Sequence, residues 1–291
     1  MKDKSIQELI NLYHSGKLTI VEKKVIELIK KNPKSFVLYN LFGAVLSNQK
    51  NFDKAVINYK KSIEINPDYA EGHNNLGGAL YKLRKFNEAI DSCQRAIKIK
   101  PNFTEAYNNL GLAFKELGKF NEAIDNYQRA IKIKPNFTEA YNNLGLAFEE
   151  LGKFNEAIDS YQRAIKIKPN FTEAYNNLGL AFEELGKFNE AIDSYQRAIK
   201  INPEYAEAYN NLGVTFKMTG KFNEAIDSYQ RAIKINPEYA EAYNNLGVTF
   251  KMIGKFNEAI DSYQRAIKIN PEYAETYNNL GNVYDINEKV D

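Results

Sequence analysis

The chain has 291 residues, 44% hydrophobic and 26% charged, which is enough apolar material for a continuous core. Lys and Arg number 39 against 37 Asp and Glu, a formal charge of +2, so no field over the whole surface gathers nucleic acid or anionic lipid. Only seven of the cations are Arg, the side chain whose fork best grips phosphate, and the one cysteine, Cys93, has no partner for an internal disulfide.

The N-terminal segment Met1 to Ile10 holds no apolar run long enough for a signal-peptide core. No stretch approaches the roughly 18 uninterrupted apolar residues of a spanning helix. The expected location is therefore the cytoplasm, with no membrane partner.

Internal repetition dominates everything downstream. All eight prolines, from Pro33 through Pro67 and Pro101 to Pro271, fall on one 34-residue period. Residues 206–239 and 240–273 differ only at Thr219 against Ile253, and 138–171 and 172–205 differ only in their last few residues. Residues 1–35 keep Gly16-Lys17, a Val21, Val25, Leu28 stripe and Pro33, yet carry Glu8 where the pattern wants Leu. They are expected to form a degenerate capping repeat. Seven complete units follow, at 36–69, 70–103, 104–137, 138–171, 172–205, 206–239 and 240–273. The first is the loosest, with Phe42 in place of Leu and Ser62 in place of Ala.

In the unit 206–239, Tyr209, Leu212, Gly213 and Phe216 recur at three- and four-residue spacing and share one helical face. Gly220-Lys221 breaks that helix. Asn223 is read as the N-cap of a second helix, with Glu224 at its positive end. Ala225, Ile226, Tyr229, Ala232 and Ile233 form the second stripe, and Pro237 ends it. Small residues (Gly213, Ala225, Ala232) let the two helices approach, and the aromatics fill the space between. After Pro271 comes one more first helix, Ala274 to Val283. Asp285, Asn287, Glu288, Lys289 and Asp291 follow, so residues 274–291 read as a polar capping helix or the stump of a longer protein.

These residues resemble the tetratricopeptide repeat, whose aromatic, Leu-Gly, aromatic, Ala, aromatic, Ala and Pro places read here Tyr209, Leu212-Gly213, Phe216, Ala225, Tyr229, Ala232 and Pro237. The resemblance covers nearly the whole chain. It implies an all-α fold, a right-handed solenoid (superhelix) of helix-turn-helix repeats, in which each hairpin buries its apolar face against the next.

Near-identical repeats supply the same side chains every 34 residues, the opposite of a unique catalytic constellation. No GxGxxG, GxxxxGK[ST], HExxH, GxSxG or CxxC motif occurs. His73 stands where Tyr107 and Tyr141 stand and is read as a packed core ring. Cys93 stands where Tyr127 and Tyr161 stand and is read as a small buried hydrophobe. His14 is read as a solvated helix-end residue. Glu88, Glu122 and Glu156, with Asp91, Asp125 and Asp159, favour helix N-termini rather than acid-base pairs. The Lys runs, such as Lys132 and Lys134, read as a solvated face. No enzyme activity, no metal and no cofactor are expected.

The constellation that points to function is Asn-Asn before Leu-Gly, at 74–75, 108–109, 142–143, 176–177, 210–211, 244–245 and 278–279. The resemblance implies that first helices line a concave groove, with these amides in rows along it. An amide offers a donor and an acceptor, and so can pair with the backbone of an extended peptide. The second asparagines, Asn75, Asn109, Asn143, Asn177, Asn211, Asn245 and Asn279, match the ladder position in the repeats of O-GlcNAc transferase-like proteins. Together with Asn108, Asn142, Asn176, Asn210 and Asn244 they are the candidate peptide-binding groove. The alternative role for the same amides is to brace neighbouring helices.

Chaperone adaptors of this family grip a carboxylate with Lys and Arg. Here Glu105, Asn108, Asn109 and their repeats occupy those places, with Glu139, Glu173, Glu207 and Glu241 tinting the floor acidic. Such a partner is not expected. The function expected is a scaffold binding other proteins or extended peptides, with self-association through the ends of the array as a further possibility. The alternative is a substrate-recruiting arm of a glycosyltransferase, O-GlcNAc transferase-like, or of another transferase whose catalytic domain is absent from this chain.

Overall fold

The computed structural model describes residues 2–287, with side chains from 6 to 286. Its secondary structure is entirely α-helical, seventeen helices with no strand among the described residues. Contacts divide the chain after Leu151 into two compact units. The first holds α1 (Lys2–His14), α2 (Leu18–Lys31), α3 (Phe36–Asn48), α4 (Phe52–Ile65), α5 (Ala70–Lys82), α6 (Phe86–Ile99), α7 (Thr104–Glu116), α8 (Phe120–Ile133) and α9 (Thr138–Glu149). The second holds α10 (Phe154–Ile167), α11 (Thr172–Glu184), α12 (Phe188–Ile201), α13 (Ala206–Met218), α14 (Phe222–Ile235), α15 (Ala240–Met252), α16 (Phe256–Ile269) and α17 (Ala274–Asn287). No helix among the described residues is long and apolar enough to cross a membrane.

The hairpin α13–α14 shows how sequence makes these elements. Gly220 takes φ +75°, its N–H donates to the Lys217 carbonyl at 3.1 Å, and the Lys221 N–H donates to the Phe216 carbonyl at 2.9 Å. That pair of bonds is a Schellman motif, which satisfies the last carbonyls of the helix and turns the chain sharply. The turn is so tight that Lys221 closes one helix and starts the next, its own carbonyl accepting from the Ala225 N–H at 3.0 Å. Asn223 therefore lies inside the first turn of α14 and is not its N-cap. The cap position is Lys221, without a side-chain cap bond. A true side-chain cap occurs at Asn51, whose amide oxygen accepts from the Lys54 N–H at 3.4 Å. At the far end Asn236 is extended at φ −124°, as the residue before Pro237 must be, and α14 stops there.

In the hairpins α3–α4, α7–α8, α11–α12, α13–α14 and α15–α16, a glycine of the first helix lies against a tyrosine of the second. A Cβ on Gly213 would sit 2.6 Å from Tyr229 Cε1, and the same distance separates Gly247 from Tyr263 and Gly111 from Tyr127. These three tyrosines are fully buried. Cys93 takes the same place opposite Gly77, fully buried, with burial pushing its thiol up to about 12. The small-hydrophobe reading of Cys93 holds. His73 differs from expectation: its ring is only half-buried, with Nε2 2.9 Å from the Pro67 carbonyl oxygen, and Tyr141, Tyr175, Tyr209 and Tyr243 at the same place in later units are half-buried as well.

Odd-numbered helices also touch the next odd-numbered helix, α5 with α7 in the first unit and α13 with α15 in the second. Among the described residues no even-numbered helix touches another. The odd helices thus form the closely spaced inner layer of each unit. At the N-terminal end, Leu9, Val21 and Val25 pack on Leu38, Leu41 and Val45, and Glu8, the residue that breaks the pattern, pairs with Lys24 at 2.7 Å.

The last helix extends to Asn287 and buries Val283, but leaves Tyr277, Tyr284 and Ile286 exposed because no helix covers that side among the described residues. Glu288, Lys289 and Asp291 lie outside the described residues.

Candidate binding surface

The asparagine pairs sit in the middle of the odd helices, one turn before the glycine that receives the aromatic ring. Helical geometry gives the two members different surroundings. The first of the pair is buried in six of the seven: Asn74, Asn108, Asn142, Asn176, Asn210 and Asn244 are all less than a tenth exposed, whereas Asn278 in the last helix is exposed. The second is half-buried at Asn75, Asn109, Asn143, Asn177, Asn211, Asn245 and Asn279.

Hydrogen bonds link the two rows. The Nδ2 of Asn109 donates to Oδ1 of Asn74 at 2.9 Å, and that of Asn143 to Asn108 at 3.0 Å. In the second unit Asn211 donates to Asn176, Asn245 to Asn210 and Asn279 to Asn244, each at 3.1 Å. Asn75 donates in the same way to Asn40, at 3.0 Å. The bracing role is thus present and is shared, the half-buried member donating and the buried member accepting. Each link satisfies an oxygen that burial has cut off from water.

The exposed member is left with spare capacity. An amide carries two donors and an acceptor oxygen with two lone pairs. Asn109, Asn143, Asn211 and Asn245 each spend one N–H on the link, and their Oδ1 atoms accept no hydrogen bond from the described residues. The helices therefore present a line of amide oxygens held in fixed orientation by their own N–H groups.

Charge is distributed around this line. The acidic row is exposed at Glu105, Glu139, Glu173, Glu207 and Glu241. Two of its members are engaged: Glu207 accepts from Asn176 Nδ2 at 3.3 Å and Glu241 from Asn210 Nδ2 at 3.1 Å. Near the other end of the odd helices, burial pushes the Glu183 carboxyl up, opposed by the Thr215 hydroxyl that donates to it. Burial pushes the Lys217 amine down, opposed by Glu275 and Glu183. His14 is exposed at the end of α1 and Cys93 is far inside a hairpin, so the side chains suited to nucleophilic or metal work are not brought together. No group of three potential metal ligands occurs among the described residues.

One feature escaped the pattern reading. In the first unit a cleft of about 630 Å³ opens between α3, α4, α5 and α7, lined by Ser47, Lys50, Tyr59, Asn75, Lys82 and Asn109. Its signal in the sequence is Gly78, standing where Leu112, Leu146 and Leu180 stand in later units.

Repeat models match the chain continuously from residue 43 onward. The model described as TPR repeat matches residues 43–84, 113–152, 149–186, 182–220, 216–254 and 252–285, and tetratricopeptide-repeat models match 70–103 and 92–125. Among curated proteins there is no match. A chain of the APC/C hetero-tetramer Cut9–Hcn1 shares the fold at 18% identity and TM-score 0.68, over 91% of this chain and 52% of its own, so this chain spans about half of that relative. MamA is 31% identical with TM-score 0.52, over 57% of this chain and 97% of its own. YrrB, a TPR protein with an unusual peptide-binding site, is 24% identical with TM-score 0.52, over 63% of this chain and 95% of its own. Matched by repeat models as far as residue 285, and folded into hairpins that seat an aromatic ring or a thiol on a glycine once per period, this chain belongs to the tetratricopeptide-repeat family.

Proposed function

We propose that the chain is a protein-interaction scaffold that holds an extended peptide segment of another protein along the second-asparagine row of a unit, Asn75 to Asn143 in the first or Asn177 to Asn279 in the second. The fold is one typical of protein–protein interaction. The observation carrying the peptide reading is the line of half-buried amides whose oxygens are oriented but unused. Such groups recognise backbone N–H groups, which every peptide has, and leave side-chain selection to their surroundings. The near-balanced charge fits a protein partner better than a nucleic acid.

A selection of phage-displayed random dodecapeptides on the full chain tests this. Peptides that bind should lose about tenfold in affinity in Asn109→Ala/Asn143→Ala, an effect of about 1.4 kcal/mol. The variant's melting temperature should drop only modestly, since each lost link is worth about 1 kcal/mol. Unchanged affinity, or a variant that no longer folds, would remove the row from the binding account.

The second reading, a recruiting arm for a glycosyltransferase or other transferase, rests on the resemblance of the same row, read from the sequence, to the ladder position of O-GlcNAc transferase-like repeats. Sugar transfer onto captured peptides by activity that co-purifies with the chain would support it. Capture without such transfer leaves the scaffold alone.

A further inference from the structure

The amide row is blind to side chains, yet the first unit carries one place where the period is broken in three ways at once. Gly78 replaces the Leu of later units, and a Cβ there would meet nothing closer than Asn109 Nδ2 at 3.9 Å, so the row opens into the 630 Å³ cleft. Lys82, on the rim, stands where later units place Glu116, Glu150, Glu184, Met218 and Met252. Lys50, also on the rim, stands where the next unit places Arg84 and the units after it place Gly118, Gly152, Gly186, Gly220 and Gly254.

Lys50 takes φ 60°, a left-handed conformation that disfavours any side chain. Arg84 takes the same conformation away from the cleft, so what singles out Lys50 is its place on the cleft rim. Both lysines are exposed, and neither makes an ion pair among the described residues. The cleft lining contains no Asp or Glu. The remaining polar groups are the amides of Asn48, Asn74, Asn75 and Asn109 and the Ser47 and Tyr59 hydroxyls, which are 3.2 Å apart. All of these groups can donate to an anionic oxygen.

We propose that this recess is a specificity pocket for a carboxylate of the bound peptide, an Asp or Glu side chain gripped between Lys50 and Lys82 beside Asn75 and Asn109. The proposal rests on the peptide-binding reading above and adds to it the chemistry of one side chain. It uses neither the floor positions of the carboxylate-gripping adaptors, which are acidic or amide here, nor an arginine fork. Two lysine ammoniums act as point charges, so a single carboxylate suits them.

The test takes the peptide enriched most strongly on the wild-type chain, made with an amidated C-terminus, and compares it with its Glu→Gln or Asp→Asn counterpart. Wild type should prefer the acid by about tenfold, a preference that shrinks in high salt. In Lys50→Gly/Lys82→Ser and in Gly78→Leu the preference should fall below about twofold, while the Gln peptide keeps its affinity for the lysine variant. Lys50→Gly relieves a strained backbone and Gly78→Leu restores the residue of later units, so thermal melts should confirm that both fold. A free-acid form that alone regains the preference would assign the carboxylate to the peptide terminus and overturn the side-chain assignment. An acid preference unchanged in the variants, or none in wild type, overturns the pocket but leaves the amide row standing. An acid preference that survives Asn109→Ala/Asn143→Ala with undiminished affinity sinks the row and keeps the pocket. Absence of any enriched peptide ends both.

Discussion

At single positions, the backbone and the hydroxyl groups hold stability that can be measured. Arg84, like Lys50, is left-handed, at φ 59°, where most other repeats place Gly. That conformation costs about 1–2 kcal/mol in a residue with a side chain. Replacing it forfeits the guanidinium lying 5.8 Å over the Phe86 ring and adds glycine's entropy, together about 1 kcal/mol. Arg84→Gly should therefore stabilise by about 0.5 kcal/mol, read as a higher urea midpoint at unchanged slope. The buried tyrosines carry a second reserve. The Tyr127 and Tyr263 hydroxyls are buried without a hydrogen-bond partner among the described residues. Burial, and the Glu275 charge after it, pushes Tyr263 up from 10.0 to about 12. The folded form holds this proton more tightly than the unfolded form, so stability is intact below pH 10 and falls as pH rises from there to about 12. Tyr263→Phe should be neutral or stabilising by about 1 kcal/mol at neutral pH, and should flatten the alkaline limb of a stability-against-pH curve.

Among helices, glycine means two different things, and substitution separates them. Gly213→Ala places a methyl 2.6 Å from a fully buried ring, an overpacking cost of about 1–3 kcal/mol that outweighs the roughly 1 kcal/mol gained in helix propensity. Gly78→Ala meets open space and should gain up to about 1 kcal/mol, and Gly281, with nothing within 4 Å, should behave likewise. Chemical denaturation of the three variants would rank them, and a destabilised Gly78→Ala would deny the open cleft. Tyr229→Ala empties the same contact from the other side and should cost about 3–5 kcal/mol. The hairpins and the buried stripe of Tyr229, Ala225 and Ala232 were legible in the sequence because a repeated pattern announces packing seven times over. The start of α14 was not, since Asn223 has the chemistry of a cap but the Schellman turn at Gly220 puts Lys221 at the cap position and Asn223 inside the first turn. The split between buried and half-buried asparagines was hidden as well: adjacent residues of identical type differ only in the 100° step around the helix, and which one faces the neighbour depends on packing. Gly78 was visible as a letter but not as a hole, because a cleft is a property of four helices.

For the molecule as a whole, near-identity of units makes stability a sum of neighbour terms. Deleting residues 206–239 joins 205 to a unit that differs from the lost one at a single position, so the junction recreates the interface it removes. The shortened chain should keep its helical content per residue by circular dichroism and melt at a somewhat lower temperature. Collapse of the helical signal would show that the units are not interchangeable. The three amide links of the second unit, all 3.1 Å long, have a consequence for anything laid across them. A strand bound to equal rungs has no preferred phase and can slip by one period without change in energy, so such a surface holds its cargo loosely in position even when it holds it tightly in total. Only an irregularity gives the cargo an address.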